Sequence, residues 1–222
     1  MVFPVLAIIG IVLFLYLTWR NLRDNYKTEN LITYSWLSLS AFLVGGRITY
    51  GLSNWGEWQT LTDWVAFYNN SGINLAGGYV VLLMVTMLLA QKYGWKLWPF
   101  LEDMINNIMI LVMGFWLGRI IFSKAGIEEG VIGLIFIFSL WISGWVKKNY
   151  RSFVWYKSGK KGFRFFFTNL IFFLLLSVYF LVIKEKIFFG AFLFTGLINL
   201  VGLFILGGVL EPLMVYIKRK RL

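Results

Sequence analysis

Apolar residues run through this chain in seven long blocks separated by short polar breaks, and none of the blocks shows the strict alternation of a half-buried strand. The blocks predict helices near Val2–Trp19, Leu31–Leu52, Ile73–Ala90, Met104–Phe122, Val131–Val146, Phe165–Ile183 and Phe188–Val209. Each is close to the 20 or so residues that cross a bilayer. One break differs. The stretch 53–72 carries Trp55, Trp58, Trp64, Phe67 and Tyr68 among polar residues, the mix of an amphipathic segment lying at the headgroups. The first block carries its charges after the apolar run, with no small-residue cleavage site, so it reads as a retained helix rather than a signal peptide.

Composition agrees with the pattern. With 59% hydrophobic residues, 14% charged residues and a mean hydropathy of +0.75, the chain cannot be a water-soluble globule. Residues 1–222 are expected to form a single transmembrane domain, an all-α integral membrane bundle of about seven helices. With no cysteine and no histidine, the chain has no thiolate nucleophile, no disulfide and no imidazole base or ligand. No metal and no cofactor are implied.

Charge gives the bundle a direction. Sixteen Lys and Arg residues fall in the breaks on one side, seven of them in the basic loop 147–164, against Lys124, Lys184 and Lys186 on the other. The positive-inside rule then puts the N-terminus outside and the C-terminus in the cytoplasm, in a plasma (inner) membrane. The net charge of +11 reflects this topology and an attraction to anionic headgroups, with no sign of nucleic-acid binding.

Arg47 and Arg119 interrupt apolar blocks, where a charge is costly enough to mark a functional site. Arg47 lies about 7 Å short of the outer end of its block, and Arg119 has a similar height. Arginine suits bidentate phosphate recognition, and a phospholipid headgroup is the anion at hand. Glycines accompany both: Gly45 and Gly46, Gly77 and Gly78, Gly114 and Gly118. Close helix packing and room for a headgroup both explain them. Glu102 and Asp103 open the fourth block, where carboxylates complement a helix N-terminus.

The run Gly45-Gly46-Arg47-Ile48-Thr49-Tyr50-Gly51, then Gly77-Gly78, then Leu117-Gly118-Arg119-Ile120 resembles the bacterial prolipoprotein diacylglyceryl transferases. That family carries a GGR-x-x-Y element, an H-G-G element and a G-R-x-G-N-x-x-N-x-E signature in this order. Trp95–Asp103, Lys161-Gly162 and the run Leu193–Leu200 extend the resemblance over nearly the whole chain. The resemblance implies transfer of diacylglyceryl from phosphatidylglycerol to the lipobox cysteine of a preprolipoprotein. It implies Arg47 and Arg119 on the phosphate, with Gly46, Tyr50, Gly77, Gly78 and Asn74 lining the substrate. Asn74-Leu75-Ala76 stands where the family has its His, and Glu128 stands near the family's glutamate. Two other readings remain open: a non-catalytic phospholipid-binding relative, and a small anion transporter or membrane subunit.

Overall fold

In the computed structural model the described residues are 2–53, 72–122, 127–150, 153, 156 and 160–207; at 2–4, 119–122, 127–129 and 187 the description is of the backbone alone. Among them are seven helices: α1 (Val2–Leu22), α2 (Thr28–Ser53), α3 (Leu75–Lys92), α4 (Leu97–Phe122), α5 (Ile127–Asn149), α6 (Phe163–Val182) and α7 (Lys186–Gly207). All seven are long and apolar enough to span a membrane. The chain is a helical, multi-pass membrane protein. Its outward-facing apolar side chains, such as Leu88, Trp141 and Phe194, would be anomalous in water and are the ordinary surface of a helix facing lipid. The predicted interfacial segment lies outside the described residues, apart from its two ends.

The chain divides into two compact units, with α4 contributing to both. The first holds α1, α2, α3 and the second half of α4. Here α2 and α3 pack antiparallel over most of their length. Tyr34 and Thr86 share a hydroxyl hydrogen bond of 3.1 Å near one end, and Asn74 N–H donates to the Gly46 carbonyl at 2.9 Å near the other. Glycine makes the approach possible. A Cβ on Gly45 would stand 2.5 Å from that of Val81, and one on Gly78 would stand 2.6 Å from the Phe42 carbonyl oxygen. The same device joins α1 to α4, where a Cβ on Gly114 would lie 2.7 Å from the Gly10 Cα.

After α3 the chain reverses through Gly94, whose φ of +67° suits glycine, and Trp95 N–H closes the turn on the Ala90 carbonyl. The Trp95 ring lies 5.0 Å from Tyr26, 5.0 Å from Tyr93 and 5.9 Å from Tyr34, sealing this end of the unit with aromatics.

The second unit holds the first half of α4 with α5, α6 and α7. Helices α5 and α6 are antiparallel, tied by Phe136 against Phe172 at 4.7 Å and by Tyr150 stacked on Phe163 at 5.4 Å. Helix α7 folds back along α6, with Phe192 near Phe173 and Phe180, and a Cβ on Gly202 would collide with the Phe166 ring. Two observed starts move the picture from that of the sequence. Helix α4 begins seven residues before its predicted block, so Glu102 sits in its second turn. Helix α5 continues to Asn149 and α6 starts at Phe163, which shortens the basic loop to 150–162.

Candidate functional site

Arg47 lies in the last third of α2 and is only 3% exposed. Its position follows from the glycines before it. With no side chains at 45 and 46, α3 settles directly onto α2, and the segment leading into α3 comes within reach of the guanidinium. Arg47 Nη1 donates to the Gly72 carbonyl at 3.0 Å. A Cβ on Gly72 would run into the Tyr50 ring, so Tyr50 stands one turn beyond Arg47 against the same short segment.

Asn74 caps α3: its Oδ1 accepts from Gly77 N–H at 3.1 Å, the usual work of an N-cap amide. Gly77 faces Thr49 and Gly78 faces Phe42. Gly46, Arg47, Tyr50, Asn74, Gly77 and Gly78 therefore come together at one end of the α2–α3 pair. Four of them are engaged in building it, the three glycines by close approach and Asn74 by capping.

Arg119 is related to this cluster through helix register. The rings of Phe42 on α2 and Phe115 on α4 meet at 5.3 Å. Helix α3 is antiparallel to α2, and the turn at Gly94 reverses the chain again, so α2 and α4 run the same way. From the Phe42–Phe115 contact, Arg47 is five residues onward and Arg119 four, rises of about 7.5 and about 6 Å. The backbones of the two arginines are thus at nearly one height in one unit. The side chain of Arg119 lies outside the described residues. Glu128, on the first turn of α5, belongs to the other unit, and its side chain is likewise outside them.

No family model, no curated protein and no solved structure matches this chain. The chemistry of the cluster therefore rests on its own geometry.

A second polar cluster, in the other unit, was hidden in the sequence. Arg164, placed there among loop cations, is 4% exposed on the first turn of α6. Its Nε donates to Ser143 Oγ at 2.9 Å and its Nη1 to the Glu102 carbonyl at 3.4 Å; Ser143 Oγ in turn donates to Asn106 Oδ1 at 2.6 Å. The Glu102 carboxylate accepts the N–H of Gly162, the N-cap of α6. Glu102 does complement a helix N-terminus, but that of α6 rather than its own. The physical reason is the early start of α4, which carries Glu102 past the first turn. The overlooked signal was spacing: Glu102 and Asn106 are four apart on α4, and Arg164 stands at the head of a run of phenylalanines. Among the described residues no group of three acidic side chains gathers to hold a metal ion.

Proposed function

We propose that this protein binds the phosphate of a membrane phospholipid at Arg47 and Arg119 and acts as a divergent prolipoprotein diacylglyceryl transferase of the plasma membrane. The observation that carries the reading is Arg47 itself: a guanidinium buried at membrane depth, held at one edge by the Gly72 carbonyl and level with the backbone of a second arginine. An arginine fixed in a low-dielectric setting recognises a phosphate oxygen strongly once it arrives. In this reading the N-terminus lies outside, as the loop charges require, and the cluster sits in the outer leaflet.

The reaction would run as a displacement. The sulfur of a lipobox cysteine attacks the glyceryl carbon that bears the phosphate; the C–S bond forms as the C–O bond breaks. Glycerol phosphate leaves, and the thiol proton ends on it by way of water, a carboxylate such as Glu128 or the substrate's own surroundings. Arg47 and Arg119 offset the charge that grows on the departing phosphate. Tyr50 is within a turn of Arg47 to bond the headgroup.

Incubating the purified chain with phosphatidylglycerol and a lipobox peptide tests this directly. Diacylglyceryl-peptide and glycerol phosphate should appear together, and both should vanish in Arg47→Ala. A folded preparation that binds phosphatidylglycerol yet forms neither product would overturn the transferase and leave the second reading, a non-catalytic phospholipid-binding relative. That reading is favoured by Asn74, which stands where the family has its His and whose amide oxygen is occupied in capping α3.

A further inference from the structure

Hydroxyls in the helices of this chain tend to bond their own backbone. Ser35, Ser38, Thr49, Thr86 and Thr195 each donate to the carbonyl four residues back, at 2.7–2.9 Å. Ser139 on α5 and Thr168 on α6 depart from this habit. Both residues are 0% exposed, and neither hydroxyl has a hydrogen-bond partner among the described residues. A carbonyl stands four residues back from each, on Ile135 and on Arg164, and neither hydroxyl takes it. A hydroxyl left unmet in an apolar interior is costly, and lipid around the bundle offers it nothing.

The two hydroxyls belong to one seam. Helices α5 and α6 are antiparallel and meet on either side of them: Arg164 Nε donates to Ser143 Oγ at 2.9 Å, and the Phe136 and Phe172 rings lie 4.7 Å apart. Ser139 is four residues before Ser143 and three after Phe136, while Thr168 is four after Arg164 and four before Phe172. Residues three and four apart share a helix face, so Ser139 and Thr168 stand on the two faces that meet, at one level between two contacts. One turn away runs the chain of hydrogen bonds from Arg164 through Ser143 to Asn106.

We infer that Ser139 and Thr168 form a binding site for one buried water, which bridges Ser139 Oγ to Thr168 Oγ1 and carries the polar chain of Arg164 one turn deeper between α5 and α6. A water can donate to one hydroxyl and accept from the other, which gives it the two polar partners that a buried water needs at the least. The contacts on either side hold the helices close, which favours a water over any larger polar ligand. The site lies in the unit away from the Arg47 cluster and does not rest on the transferase reading.

The full chain in lipid nanodiscs, imaged at a resolution that shows ordered waters, reads the site directly. One density peak about 2.7–3.0 Å from both oxygens is expected, kept in Thr168→Ser and absent in the double variant Ser139→Ala with Thr168→Val. The two hydroxyls bonded to one another, or each turned onto the carbonyl of its own helix, would overturn the site. Unfolding in detergent checks it independently. Ser139→Ala or Thr168→Val alone strips the water of a partner and leaves the other hydroxyl unmet, so each should lower the unfolding midpoint by about 2–4 °C or more. The double variant removes both polar groups and should be no worse than the worse single change. Midpoints that neither single change lowers, or losses that simply add, would mean that each hydroxyl stands alone and would contradict the bridge.

Discussion

Gly162 and Glu102 show how much one residue can decide in this molecule. Gly162 combines a positive φ with a side of the backbone pressed against Trp98, so Gly162→Ala should cost about 1–3 kcal/mol, read as a lowered unfolding midpoint in detergent. Glu102→Ala leaves the α6 N-cap N–H without its acceptor and should cost a similar amount, about 1–3 kcal/mol. Glu102→Gln keeps an acceptor oxygen there and should cost clearly less. If Glu102→Gln and Glu102→Ala were equally destabilising, the carboxylate's charge rather than the cap would be what matters. Arg47 was legible in the sequence because a charge inside an apolar block stands out. Arg164 was not, because it lies at the block's edge among six other cations, and only the earlier start of α6 brings it inside.

At the scale of the helices, glycines set the separations. A methyl at Gly114 would meet the Gly10 backbone, which cannot turn aside, whereas one at Gly144 meets nothing within 4 Å. Gly114→Ala should therefore destabilise by about 1–3 kcal/mol through overpacking, and Gly144→Ala should be neutral or stabilising by up to about 1 kcal/mol. Equal effects of the two in the same unfolding assay would remove the packing explanation. The helices themselves were readable from apolar length: α1, α2, α3, α6 and α7 begin and end within about three residues of their predicted blocks. The starts of α4 and α5 were not. Leu97–Glu102 and Ile127–Gly130 mix polar and apolar residues, so hydropathy alone ends each block too soon, while the backbone continues as helix.

For the whole molecule, the unequal charge of alternate loops in the sequence makes a prediction about sidedness. The natural chain has no cysteine, so single cysteines report position without background. Lys184→Cys should react with a membrane-impermeant maleimide in intact cells, and Asn25→Cys and Gly94→Cys only after lysis. The reverse pattern would invert the topology and move the Arg47 cluster to the cytoplasmic leaflet. The site was partly legible at this scale too. Two arginines in apolar blocks pointed to one height, and the contact of Phe42 with Phe115 supplies a register between their helices that no spacing within the sequence contains.

In the proposed function Arg47 and Arg119 hold one phosphate between them. Phosphatidylglycerol affinity of the wild-type chain, Arg47→Ala, Arg119→Ala and the double variant, each confirmed folded by its thermal transition, tests it most directly. The two single changes should each weaken binding by about tenfold or more, and the double change should be little worse than either, as for two groups serving one ligand. Affinity unchanged by both single substitutions, or losses that simply add, would contradict a shared headgroup site.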